Sequence, residues 1–115
     1  MLLNLTNHSS NLWPENQRKK AIELFKSIID LPFPQISPSL DSAGLDLLAE
    51  DYEHQVRKLD PIAVHIMGEM TFTFRLVTLL KSQGISCVAS TTQRIASEEN
   101  GIKISKFEFV QFRSY

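Results

Sequence analysis

The chain has 115 residues, of which 43% are hydrophobic, and its formal net charge at pH 7 is -1. This length supports one domain with its own core, and we expect residues 1–115 to form it. The charge argues against general binding to duplex DNA, which needs a concentrated basic surface, but it allows a small anionic ligand held by a few local groups.

Two features of the sequence indicate the cellular compartment of the protein. Cys87 is the single cysteine, so there is no disulfide framework and a reducing environment is expected. The N-terminus reaches the polar Asn4 within four residues, which fits no signal peptide, and the apolar runs are far shorter than the roughly 20 residues that span a bilayer. We therefore expect a cytoplasmic protein without a membrane segment.

The first half of the chain predicts a strand, a helix and a second strand. Leu2–Thr6 forms the strand, and the polar loop Asn7–Asn11 follows it. Trp13-Pro14 opens the first helix, and Ser27–Leu31 is the second strand. The apolar stripe predicted to be buried on this helix is Ala21, Ile22 and Phe25.

Three prolines, Pro32, Pro34 and Pro38, predict an extended connection to the second helix. Asp41 or Ser42 caps this helix, and Asp60-Pro61 ends it. Its apolar residues follow helical spacing and are predicted to face inward: Leu45, Leu48, Ala49, Tyr52, Val56 and Leu59.

The most informative stretch is Ile62–Met67, an apolar run without alternation that fits a strand buried on both faces of a parallel sheet. Gly68–Thr71 turns the chain directly into a third helix, which Gly84 ends at its C-cap. The predicted inward residues of this helix are Phe72, Leu76, Leu79 and Leu80.

A hairpin is predicted at the C-terminus. Ile85–Ser90 is the fourth strand, and Asn100-Gly101 is a strong turn signal that pairs residues 93–98 with residues 102–112. The result is an α/β fold, a small Rossmann-like three-layer arrangement with a mainly parallel sheet and a C-terminal β-hairpin. Right-handed crossovers place the first strand beside the central one, with helices on both faces.

This topology is expected to bring three loops together at one end of the sheet: Asn7–Trp13, Gly68–Thr73 and Ser90–Arg94. Such a position is where ligands bind in open α/β sheets. Gly68 allows close approach of the backbone, and the amides that follow can hold an anion. Thr71 either contacts the ligand or caps the helix. Glu69 either satisfies the helix dipole or serves as a base or a reader of ribose hydroxyls.

The other two loops carry further candidates. His8 has a side chain suited to proton transfer near neutral pH, whereas His65 is expected to be a core residue. Arg94 can bind phosphate, or it can pair with a neighbouring glutamate. Trp13 can stack on a base or cover the core. The remaining predicted ligand-binding residues in these loops are Asn7, Ser9, Ser10, Ser90, Thr91 and Thr92.

Several familiar sites are argued against by spacing. No three of the histidines, the carboxylates and Cys87 have metal-ligand spacing, so no metal site is expected. No other cofactor is predicted. The four glycines form no GxGxxG or Walker loop, and there is no GxSxG elbow.

The segment His65-Ile66-Met67-Gly68-Glu69-Met70-Thr71, between a strand and a helix, resembles the strand–Gly-Gly-Thr–helix motif of CRISPR-associated Rossmann-fold (CARF) domains. Ser90-Thr91-Thr92-Gln93-Arg94 is similar to the segment after the next strand of such domains. Glu69 and Phe72 stand where the family commonly has a second glycine and a lysine. The resemblance implies a homodimer in antiviral defence that binds cyclic oligoadenylate, with Gly68, Glu69, Met70, Thr71 and residues 7–10 lining the ligand.

Some small members of that family are ring nucleases, which cleave the messenger without a metal. The resemblance would make Arg94 the group that stabilises the phosphorane, His8 the proton carrier and Glu69 the group that fixes the ribose. Two alternatives remain open. One is an N-glycosidic nucleotide hydrolase or transferase, and the other is a non-catalytic dimeric interaction module whose aromatic C-terminal strand adds to a partner's sheet.

Overall fold

The computed structural model describes all residues, Met1–Tyr115, and has the α/β architecture that the sequence predicts. Five strands form one sheet in the order β2-β1-β3-β4-β5, in which only β5 is antiparallel. The elements in chain order are β1 (Leu2–Thr6), a 3-10 turn (Ser10–Leu12), α1 (Glu15–Phe25), β2 (Ile28–Asp30), α2 (Ser42–Leu59), β3 (Ala63–Met67), α3 (Met70–Ser82), β4 (Ser86–Glu99) and β5 (Ile102–Ser114).

The three-layer prediction is confirmed by two separate cores. On one face of the sheet, α2 and α3 cover β1 and β3, and Phe72 and Leu76 are completely buried there. On the other face, α1 packs through Ala21 against Leu2 and Ala63, and Trp13 closes the end of this core. Continuous apolar strands lie between helices on both faces, as expected for a parallel sheet.

The predicted helix boundaries agree closely with the structure, because they depend on local capping chemistry. Asp41 caps α2 by accepting a hydrogen bond from the Gly44 amide at 2.8 Å. Gly84 follows the end of α3 with a φ of +75°, the left-handed conformation that favours glycine. Four residues predicted to be buried are exposed instead. Ile62 and Met67, at the two ends of the predicted buried run, are 54% and 39% exposed. Ile22 in α1 and Leu59 at the end of α2 are 46% and 40% exposed, because each lies at the margin of its helix's covered face.

The predicted loop at Ser90–Arg94 is also wrong. Instead, β4 runs without a break from Ser86 to Glu99 and pairs along its length with β5. The cause is the partner strand, since β5 continues the ladder through the hydroxyl-rich residues that suggested a loop. The turn at Asn100-Gly101 is confirmed, and both residues have positive φ, at 53° and 78°.

The register of the hairpin shifts between Thr91 and Thr92, which face Gln111 and Phe109 respectively. Val110 is therefore the extra residue of a β-bulge in β5. No helix of this protein combines the length and apolar character needed to cross a membrane.

Candidate functional site

A cavity of about 520 Å³ opens at the carboxyl ends of β1, β3 and β4. This is the place where strand order reverses, because β1 lies between β2 and β3, and its volume falls in the usual range of small-molecule sites. Twelve residues line it: Thr6, Asn7, His8, Leu12, Trp13, Pro14, Gln17, His65, Met67, Gly68, Ser90 and Thr92.

Six of the residues predicted to form the site lie in this lining. They are Asn7, His8, Trp13, Gly68, Ser90 and Thr92. Of the three residues given catalytic roles, only His8 is among them, while Glu69 and Arg94 lie outside. Loops after β1 and β3 meet as expected, and the third wall comes from a strand rather than a loop.

The cavity wall rests on a hydrogen-bonded chain that begins at Asp30 in β2. Asn4 Nδ2 donates to Asp30 Oδ1 and to the carbonyl of His8, both at 2.8 Å. Both partners accept only, so the amide nitrogen must face them. Asn4 Oδ1 therefore faces the other way, where it lies 3.0 Å from Nδ1 of His65.

The carboxylate at the start of this chain is held ionised. Burial raises the pKa of Asp30, but hydrogen bonds from Asn4, Ser10 and Ser9 outweigh burial and keep the pKa below its ordinary value. Ser10 contributes its amide and its hydroxyl, each at 3.0 Å, and the Ser9 hydroxyl lies at 3.3 Å. The two serines predicted to bind a ligand therefore bind Asp30.

His65 ends the chain with an unpaired acceptor. Because Asn4 Oδ1 accepts, the hydrogen of a neutral imidazole is on Nδ1, and Nε2 carries a bare lone pair. Nε2 is buried and has no partner, and the residue is only 2% exposed. Burial lowers the pKa of His65 to about 4, so the ring is neutral at physiological pH.

Aromatic rings hold the His65 imidazole in place. Trp13 contacts it edge to face with ring centres 5.2 Å apart, and Phe112 does the same at 5.5 Å. Sequence reasoning assigned His65 to the core, and it is buried, but its role in the cavity wall was missed. Asn4 could have indicated this role, because it is also a polar residue in an apolar strand. It lies directly beside His65 in the β1–β3 ladder.

Glu69 acts as the N-cap of α3. Its carboxylate accepts from the amides of Thr71 and Phe72, both at 2.9 Å, and from the Thr71 hydroxyl at 2.7 Å. These backbone hydrogen bonds lower the pKa of Glu69. The amides predicted to hold an external anion are thus bound by a carboxylate of the chain itself, and the Thr71 hydroxyl is bound with them.

Gly68 separates two cavities. A side chain at this position would overlap the ring of Phe33, so the close approach that this glycine permits is used by Phe33. Behind Gly68, a second, more apolar cavity of about 590 Å³ lies along α3, and Met70 lines that one instead of the first.

Three of the predicted site residues in β4 form hydrogen bonds with other residues of the protein. The Ser90 hydroxyl donates to Sδ of Met67 at 3.1 Å, and the Thr91 hydroxyl donates to the carbonyl of Gln111 at 3.4 Å. Arg94 donates through Nε and Nη2 to the Ser105 hydroxyl, at 3.2 and 2.9 Å. Strand alternation puts Arg94 on the same face as Thr92, roughly 7 Å further out.

The structure contains no group of three or more histidine, cysteine or acidic side chains arranged to hold a metal ion. Cys87 is buried, and burial raises its pKa to about 11. Its thiol is therefore protonated at neutral pH and is a poor nucleophile.

Residues 1–113 match the profile of a family described as "Uncharacterized protein MJ1673 family". The chain belongs to this family. The match includes every strand and helix of the MJ1673-family fold described above, except the last residue of β5. No curated protein and no solved structure gives a significant match.

Proposed function

We propose that this protein binds a nucleotide, with the nucleoside part in the cavity at the carboxyl ends of β1, β3 and β4. The observation that carries the proposal is that His65, a residue of the cavity lining, has a buried Nε2 without a hydrogen-bond partner. A buried acceptor without a partner costs about 1–3 kcal/mol. A ribose hydroxyl or a base amino group that enters the wall beside His65 would supply the missing donor.

The rest of the lining suits a flat molecule with polar edges. Trp13, Leu12 and Pro14 supply apolar surface on the side of α1. Asn7 and Gln17 supply amide groups that can both donate and accept. This combination of apolar surface and a few polar groups is typical of small-molecule sites.

The phosphate of the proposed ligand would lie at the cavity mouth. No lysine or arginine lines the cavity, and the first amides of α3 are bound to Glu69. The guanidinium of Arg94, on the same strand face as Thr92, is the nearest cation along β4. A nucleoside inside and a phosphate outside therefore fits these residues better than inorganic phosphate alone.

The most specific form of the proposal is binding and metal-independent cleavage of cyclic oligoadenylate in CRISPR-linked defence. In that reaction a ribose 2′-oxygen attacks the adjacent phosphorus, the 5′-oxygen leaves, and a 2′,3′-cyclic phosphate forms. His8, in the cavity wall, would take the 2′-hydroxyl proton, a water molecule would give a proton to the departing 5′-oxygen, and Arg94 would stabilise the charge on the phosphorane. Glu69 would act by fixing the start of α3. A cytoplasmic location belongs to this proposal, supported by the unpaired Cys87.

The test uses Trp13, which is the only tryptophan and lies in the cavity wall. Its fluorescence is titrated with AMP, cyclic tetra-adenylate and inorganic phosphate. We expect saturable binding of a nucleotide and about fivefold weaker binding by His65→Leu, since one lost hydrogen bond is worth about 1 kcal/mol. His54→Leu, on the exposed face of α2, is the matched control and keeps wild-type affinity.

Equal affinity in wild type and a folded His65→Leu variant would refute this assignment of the site, and so would a lack of response to every nucleotide. Cleavage is tested separately by incubation with cyclic tetra-adenylate and EDTA, followed by chromatography. A linear product ending in a cyclic phosphate supports the ring-nuclease form. Release of free adenine would instead indicate glycosidic chemistry, and an unchanged nucleotide would limit the function to binding.

A further inference from the structure

The β4–β5 hairpin extends well beyond the rest of the sheet. β3 pairs with β4 only at Ser86–Val88, whereas β4 and β5 remain paired as far as Glu99 and Ile102. The radius of gyration is 15.9 Å, against about 13 Å for a compact chain of this length. We name residues 92–109 the hairpin arm. Two strands without a third are marginally stable in water, so the arm gains from a further strand.

The outer edge of the arm is open and apolar. β5 is the last strand of the sheet and pairs on one side only, with β4. Phe107 is 67% exposed and Ile102 is 64% exposed. A long edge with unpaired backbone groups and exposed apolar side chains is a template for another strand. At the opposite end of the sheet, β2 has only three residues and offers no comparable template.

Two charged residues on this edge form no salt bridge within their own chain. Lys106 faces Ile95 across the hairpin, and Glu108 faces Gln93. Neither side chain takes part in a salt bridge, although Arg75 and Asp46 form one elsewhere at 2.7 Å. Lys106 and Glu108 lie on the same face of β5, on either side of Phe107, and they are opposite in sign.

We propose that two copies of this protein pair antiparallel through the outer edges of β5, with the two-fold axis at Phe107. In this register Lys106 of each copy lies opposite Glu108 of the other, and the two Phe107 rings meet on the axis. A strand that pairs with itself about a two-fold axis is an isologous interface, which closes after two copies.

Neighbouring registers are disfavoured by charge. An axis at Lys106 places lysine against lysine, and an axis at Glu108 places glutamate against glutamate, both of which are destabilising across strands. The inner end of the interface is set by the bulge at Val110 and by Asn16, whose Nδ2 donates to the Phe109 carbonyl at 3.2 Å. This dimer does not depend on the nucleotide proposal, because its contacts lie on the arm outside the cavity.

The charges provide the sharpest test. Lys106→Glu and Glu108→Lys should each weaken the dimer at least tenfold, because each replaces two attractive pairs by two repulsive ones. The double variant Lys106→Glu with Glu108→Lys restores both pairs and should regain wild-type association. Lys58→Glu, exposed on α2, makes the same charge change away from the edge and should leave association unchanged. Sedimentation velocity over a concentration series measures all five proteins.

The register is tested with Phe107→Cys. On the proposed axis the two introduced cysteines face each other, so mild oxidation should give a disulfide-linked dimer, while Cys87 is buried and should not react. A wild-type protein that stays monomeric would overturn the inference. So would a double charge variant that is no more dimeric than the single variants, or assemblies that grow beyond two copies.

Discussion

The Oδ1 atom of Asn4 lies 3.0 Å from Nδ1 of His65, on the neighbouring strand, and this contact decides which nitrogen of the imidazole is free. Asp30 and the His8 carbonyl fix the orientation of the Asn4 amide from its other side. A surface carboxylate in β2 therefore determines the hydrogen-bonding character of an atom in the cavity wall, two strands away. The stability of the protein and its pH dependence should both depend on this contact.

Replacement of Asn4 by alanine should lower the free energy of unfolding by about 2–4 kcal/mol, because it leaves Asp30 and Nδ1 of His65 without their buried partner. Urea unfolding followed by far-UV circular dichroism measures the change. Asn11→Ala is the control, since Asn11 is exposed, and it should stay within about 0.5 kcal/mol of wild type. An Asn4→Ala variant as stable as the control would show that the chain of hydrogen bonds contributes nothing to folding.

Stability should fall as the pH drops from about 6.5 to about 4. His65 has an ordinary pKa of 6.5 in the unfolded chain and about 4 in the folded one, because burial disfavours the charged ring. Between these values the unfolded state binds more protons, so acid favours unfolding, by about 3 kcal/mol in all. Urea unfolding at a series of pH values measures this slope.

The control for the pH prediction is His65→Leu. Between pH 4 and 6.5 its free energy of unfolding should depend less on pH than that of wild type. Asp30 and Glu69 have pKa values below their ordinary values of 3.8 and 4.5, so their contributions are lost below about pH 4.5 and do not account for a slope between pH 4.5 and 6.5. Parallel pH profiles for the two proteins would contradict the assignment to His65.

Glu69→Ala should lower the urea midpoint, because the amides of Thr71 and Phe72 lose their cap. The same change frees the positive end of α3, so sulfate should raise the melting temperature of Glu69→Ala more than that of wild type. Glu50→Ala, exposed on α2, is the matched control and should change neither value. An equal sulfate response in all three proteins would mean that α3 offers no anion site even when uncapped.

Gly68→Ala should destabilise the protein by about 1–3 kcal/mol, because the new methyl group would overlap the Phe33 ring. That ring packs edge to face on Phe72, with ring centres 5.3 Å apart, and cannot move freely. A double-mutant cycle with Phe33→Leu measures the coupling. The loss of stability in the double variant should be smaller than the sum of the losses in the two single variants. Strict additivity would show that the overlap is relieved in another way.

Local chemistry explains which parts of the fold can be predicted. The buried run ending at Met67, the Asp41 cap and the Asn100-Gly101 turn each depend on a few adjacent residues, so their elements are confirmed. The loop at Ser90–Arg94 is wrong because serines and threonines are compatible with a loop or a strand, and only pairing with β5 decides between them. Glu69 shows the same limit, since a carboxylate beside a helix start can serve a ligand or the helix.

By itself, the sequence determines the order of the elements, the parallel core of the sheet and the end at which polar side chains gather. These follow from hydrophobic period and capping, which act over a few residues. Tertiary structure alone decides that Asn4 meets His65, that Phe33 fills the space at Gly68 and that Arg94 lies outside the cavity. Those contacts join residues as many as 61 positions apart, and their geometry is set by strand register and packing rather than by any local pattern.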